Sequence, residues 1–93
     1  MNIVWSPRAE RELDEVWGYI AFDNIDAADR MAERLRTATF VLRAHPRIGR
    51  IGRRNGTREL VVSGTPYVLE YRVRRMHIQI THVIHGARKW PPA

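Results

Sequence analysis

Seven residues in the second half of the chain have the types needed to act on a phosphodiester: Arg50, Arg53, Arg58, Arg72, His85, Arg88 and Trp90. Cleavage without a metal needs a base for a 2′-hydroxyl proton, cations to offset phosphorane charge, and an acid for the leaving oxygen. Histidine near its ordinary pKa serves either proton role. Guanidinium forks hold phosphate oxygens in pairs, and an indole such as Trp90 offers a stacking surface for a base. Arg72, on the outward face of a strand, and His85, at the end of its neighbour, are expected to share a surface. Arg58 falls at the start of a strand and Arg88 in the tail.

Each residue also has a plain structural reading. Arg72 and Glu70 are outward strand residues, His85 ends a strand, and Trp90 lies as a lid on the apolar rim. His82 reads as a hydrogen-bonded core residue, His45 as a cation at a helix C-terminus and His77 as a turn residue. Trp5 and Trp17 are expected in the core.

The composition narrows the chemistry. Cysteine is absent, so there is no thiolate nucleophile, disulfide or zinc–sulfur site. His82 and His85 stand three apart on a strand and face opposite sides, and no histidine pair at metal spacing has carboxylates nearby. No metal site is expected. Gly49-Arg50-Ile51-Gly52-Arg53 lacks the spacing of a phosphate-cradling loop, and no cofactor motif is present. No apolar run approaches the roughly 18 residues that span a bilayer, and the N-terminus has no leader pattern. A cytoplasmic protein with no membrane partner is the expectation.

Charge is distributed unevenly. The chain has 93 residues and a net charge of +6. Residues 1–42 hold five arginines against eight acids, whereas residues 43–93 hold eleven cations against two acids. Such asymmetry points to a polyanionic partner for the second half.

The elements that position these residues follow from periodicity. Ile3-Val4-Trp5 is a short strand. Ser6-Pro7 opens a helix, with serine as N-cap and proline at the first helical position. Ala9, Leu13, Val16, Trp17 and Ile20 keep helical spacing to about Phe22. A second helix, capped by Asp26 with Asp29 in its first turn, carries the seam Ala28, Met31, Leu35, Ala38 and Leu42. His45-Pro46 ends it. Residues 46–56, with three glycines and four arginines, read as a mobile basic loop.

The period then changes to two. Strands run over residues 57–62, 67–73 and 77–85, joined by short turns. Tyr67, Leu69, Tyr71 and Val73 share one face of the middle strand. On the last strand Ile78, Ile80 and Ile84 face the core, and Gln79, Thr81 and His85 point away. The expectation is an α+β fold, β-α-α-β-β-β, in one domain over residues 1–93. A helical hairpin packs on one face of a small antiparallel sheet, leaving the other face to the basic groups.

Several segments in this order resemble the RelE/ParE superfamily of toxins from bacterial type II toxin–antitoxin systems. They are Trp5-Ser6-Pro7-Arg8-Ala9, Pro46-Arg47-Ile48-Gly49-Arg50, Gly56-Thr57-Arg58-Glu59-Leu60, the run from Pro66 to Val73, and the run from Val83 to Pro91. The resemblance implies a growth-arresting toxin neutralised by a cognate antitoxin in a hetero-oligomer. It also implies one of two targets. RelE-like members cut mRNA on the ribosome with basic residues and a tyrosine or histidine; ParE-like members poison DNA gyrase. Around Leu60-Val61-Val62, where the RNases place an arginine, this chain is apolar, and no tyrosine follows Val73. The resemblance therefore leans to ParE and a gyrase target bound through Arg50, Arg53, Arg58, Arg72 and Trp90. Metal-independent mRNA cleavage through His85 and Arg88 is the alternative, and a non-toxic nucleic-acid-binding module is the second.

Overall fold

A computed structural model describes residues 1–86. Strand β1 (Asn2–Trp5) leads into helix α1 (Pro7–Ala21) and then helix α2 (Ile25–Ala38). After a 3-10 turn at Thr39–Arg43 come β2 (Arg50–Ile51), β3 (Arg58–Val61), β4 (Tyr67–Val73) and β5 (His77–His85). The five strands form one sheet in the order β1-β5-β4-β3-β2. All pairings are antiparallel except β1 with β5, which is parallel. The α+β architecture is as expected, with β2 as an additional short strand.

Ser6 connects two elements. Its N–H donates to the Ile80 carbonyl at 2.9 Å, closing the β1–β5 ladder. Its Oγ accepts from the Ala9 N–H at 3.0 Å, satisfying one of the orphan donors at the start of α1. Asn24, rather than Asp26, caps α2: its Oδ1 accepts from the Ala27 N–H at 2.9 Å. The helix thus begins at Ile25, whose side chain is exposed and gives no hydrophobic signal of the start. Asp26, rather than Asp29, is the acid of the first turn. The α-helix ends at Ala38, before His45-Pro46, and the tighter 3-10 turn keeps Leu42 in register with the seam.

Ala28, Leu35 and Leu42 are fully buried, and Met31 and Ala38 pack beside them. Against the seam lie Leu13, Tyr67, Leu69 and Val83 in one cluster, and Ala9, Tyr71, Ile78 and Ile80 in a second. Trp17 is not a core residue. It is 37% exposed, and its indole N–H donates to Asp29 at 2.8 Å, tying α1 to α2. Trp5 is half-buried beneath the Arg36 guanidinium, 5.1 Å from the ring centroid.

One irregularity decides which side chains share a face. Glu70 pairs with His82, but Tyr71 pairs with Ile80, so Thr81 is the extra residue of a β-bulge. Side chains alternate strictly along a strand, so one extra residue reverses the alternation beyond it. Ile78 and Ile80 face the helices, as expected. Past the bulge Val83 takes the core position, and Ile84 turns to the other face, where it is buried beside Val68. His85 turns with Val83 toward the helices.

Residues 46–56 are held by specific bonds rather than forming a mobile loop. The Tyr71 hydroxyl donates to the Pro46 carbonyl at 2.7 Å and accepts from the Gly49 N–H at 2.9 Å. A Cβ at Gly49 would lie 2.6 Å from that hydroxyl, so glycine is required for the close approach. Further on, the Gly52 N–H donates to the Thr57 carbonyl at 2.8 Å.

Candidate functional site

The sheet face away from the helices is neither flat nor open. Glu59 of β3 and Glu70 of β4 are cross-strand neighbours on it, and both are buried. An isolated buried carboxylate is costly, so such groups are paired or hydrogen-bonded. Here the basic segment from β2 to β3 supplies the partners. Arg50 donates to Glu59 at 2.9 Å, and the Arg53 guanidinium lies 3.6 Å from the same carboxylate. The Arg53 backbone N–H donates to it at 3.1 Å. Arg54 stands 3.6 Å from Glu70.

Glu70 has further neighbours. Its Oε1 accepts from the Thr81 hydroxyl at 2.6 Å and lies 3.8 Å from His82 Nε2. Thr81 is the bulge residue, so the irregularity also places a donor over this carboxylate. His82 is 4% exposed. Its Nδ1 is 3.2 Å from Glu12 of α1, and its Nε2 is 3.4 Å from Arg54. The core reading of His82 is correct, and it belongs to a chain of polar contacts from α1 through the sheet edge to the basic segment.

Arg72, near the end of β4, and Arg74, just past it, extend the same face. Arg72 pairs across the sheet with Gln79 and donates to the Asn55 carbonyl at 3.2 Å. Arg74 donates to Gln79 Oε1 at 3.1 Å. Neither has a carboxylate within ion-pair distance among the described residues, so their acceptors are neutral. Five guanidinium groups, from Arg50, Arg53, Arg54, Arg72 and Arg74, thus face two carboxylates. Among the described residues the guanidinium groups on this face exceed its carboxylates by three.

The structure does not bring all the sequence-derived candidates together. Arg50, Arg53 and Arg72 share this face. Arg58 pairs with Tyr71 and lies on the helix side, donating to the Gly49 carbonyl at 2.9 Å and the Arg47 carbonyl at 3.2 Å. With Tyr71 it pins residues 46–49. Burial raises the Tyr71 pKa, while the Gly49 N–H and the Arg58 charge work in the opposite direction.

His85 does not share a surface with Arg72, contrary to expectation, because the bulge turns it to the opposite face. There it meets the Tyr67 ring edge to face, with centroids 5.4 Å apart. It lines a hollow together with Glu12, Glu15, Val16, Tyr19, Tyr67 and Val83. Among the described residues its neighbours include carboxylates and tyrosines. Arg88 and Trp90 lie outside the described residues.

Glu59, Glu70 and Arg74 were missed as functional-face residues. A signal for the first two exists. They are the only acids in residues 43–93, among eleven cations, and each sits mid-strand in an apolar pattern. Isolated acids in such a setting are natural internal partners for arginine.

A helical hairpin on a five-stranded, mostly antiparallel sheet is the build of a small RelE/ParE-type toxin. Residues 3–90 match the family described as the ParE toxin of type II toxin–antitoxin system, parDE. The chain belongs to that family and is the toxin of a ParDE-type toxin–antitoxin system. It is 44% identical over 90 residues to Y4kP of Sinorhizobium fredii, named as a candidate toxin, covering 97% of this chain and 93% of the relative. It is 40% identical over 87 residues to the toxin RelE2 of Caulobacter vibrioides, covering 94% and 97%. Its fold matches a chain of the chromosomal ParDE system of P. aeruginosa with a TM-score of 0.82. That match has 23% identity and covers 91% of this chain and 95% of the other.

Proposed function

We propose that this toxin arrests growth by poisoning DNA gyrase without itself catalysing a reaction, and that a cognate antitoxin neutralises it in a cytoplasmic hetero-oligomer. One observation carries the reading. His85, the proton carrier that cleavage would need, lies on the opposite face from Arg50, Arg53 and Arg72; the partly exposed imidazole on the arginine face is His77, at the start of β5 rather than in a turn, away from Glu59 and the arginines anchored on it. His82, on that face, is buried between Glu12 and Arg54. His85 faces the helices. General acid–base catalysis requires the proton carrier within hydrogen-bond reach of the reacting oxygen, and cations on one face with His85 on the other suit docking better than cleavage. No described helix is long and apolar enough to cross a membrane. The excess positive charge of residues 43–93 gives the antitoxin an electrostatic complement if its toxin-binding segment is acidic.

Purified toxin is expected to inhibit supercoiling or trap cleaved DNA in a gyrase assay, and His85→Ala is expected to retain that effect. Unchanged supercoiling at saturating toxin would overturn the reading. The second reading, ribosome-dependent mRNA cleavage, draws on the 40% identity to a relative named RelE2. It predicts codon-phased cuts by primer extension on mRNA from induced cells, lost in His85→Ala and Arg88→Ala. Harmless expression in the absence of any antitoxin would instead support a non-toxic binding module.

A further inference from the structure

We propose that the arginine face binds the phosphate backbone of duplex DNA directly, with Arg72 and Arg74 as the contacting residues. The inference is independent of which enzyme the toxin attacks. Two features of the face carry it. The first is excess positive charge at fixed positions. Arg50, Arg53 and Arg54 are anchored on buried Glu59 and Glu70, so the surface around them is set before any ligand arrives. A preset guanidinium array loses less side-chain freedom on binding than free arginines would.

The second feature is the state of Arg72 and Arg74. Arg72 lies on β4 opposite Gln79, and Arg74, one residue past the end of the strand, reaches the Gln79 side chain, so both guanidinium groups stand on the same side. Among the described residues their acceptors are the Asn55 carbonyl and the Gln79 side chain. Each guanidinium carries five N–H donors, so several remain for a phosphate. Charge-assisted guanidinium–phosphate bonds are about twice as strong as neutral ones, so a phosphate displaces these neutral acceptors favourably.

The same face argues for a duplex over a single strand. Single-stranded nucleic acid is held largely by bases stacked on aromatic side chains. The exposed aromatic residues Trp17, Tyr19, Phe22 and Phe40 all sit on the helical layer or its linkers. None stands on the arginine face among the described residues. Charge without a stacking platform is the pattern of backbone-positioning contacts.

The test is binding of the full-length protein to a 20-base-pair DNA duplex, followed by fluorescence anisotropy at several salt concentrations. The wild type is expected to bind with a steep linear fall of log affinity against log salt. Arg72→Gln with Arg74→Gln should reduce that slope by about 2, since each lost phosphate contact removes about 0.9. Arg11→Gln with Arg30→Gln removes the same charge from the helical layer and should leave the slope unchanged. Arg72→Lys with Arg74→Lys guards against misfolding of the glutamine variant. It should keep the slope and weaken binding, because charge is retained and the fork is lost.

Equal slope changes in the two glutamine variants would overturn the proposal. So would failure of the duplex to bind at low salt, or tighter binding of single-stranded RNA or polyglutamate than of the duplex. The supercoiling assay reads the gyrase proposal separately, so either proposal can fail alone.

Discussion

Arg54 and Glu70 offer the sharpest test of how the basic segment is held on the sheet. Glu70 is fully buried, and its Oε2 has no hydrogen-bond partner among the described residues; the Arg54 guanidinium lies 3.6 Å away. Arg54→Ala leaves that carboxylate buried without its main counter-charge. Breaking a buried ion pair from one side costs about 3–5 kcal/mol. The Arg54 side chain is 40% exposed, so water partly screens the interaction, and Thr81 still serves Oε1. The expected cost is about 2 kcal/mol. For a domain of this size that is roughly 8–15 °C in Tm.

Glu70→Gln removes the charge that Arg54 compensates. In that background Arg54→Ala should cost under about 0.5 kcal/mol, as at an ordinary surface position. Urea denaturation of the wild type, both single variants and the double variant closes the cycle. A coupling of about 1.5 kcal/mol is expected. If Arg54→Ala costs the same in both backgrounds, the carboxylate is not what holds the segment, and the electrostatic account of this face is wrong.

Two further outcomes follow from the core. Tyr71→Phe deprives the buried Gly49 N–H of its acceptor and the Pro46 carbonyl of its donor. It should cost about 1–3 kcal/mol and raise protease sensitivity around residues 46–49; unchanged stability would show that water replaces the hydroxyl. The raised Tyr71 pKa also has a pH consequence. The unfolded tyrosine ionises near pH 10 while the folded one keeps its proton, so this contribution is complete below that pH and is lost as pH rises above it. Stability of the wild type should therefore fall more steeply above pH 10 than that of Tyr71→Phe. In α2, Leu35→Ala empties a fully buried position and should cost about 2–5 kcal/mol by denaturant titration; a loss under 1 kcal/mol would mean that the seam closes around the gap.

Local rules were enough for much of this chain because their signals are contained within a few residues. Serine followed by proline starts α1, a three-four spacing buries Ala28, Leu35 and Leu42, and period-two alternation brackets β4 and β5. The excess of arginine in the second half and the ParE-like character were equally legible. What the residues alone did not settle depends on partners distant in the chain. Thr81 is an ordinary strand residue until pairing with β4 makes it the extra one, and that single offset sends His85 to the helices and Ile84 to the other face. Glu59 and Glu70 look like solvent-facing acids until Arg50, Arg53 and Arg54 fold back over them. A side chain's face is set by cumulative register, and a charge's cost by everything packed around it; both are properties of the assembled sheet.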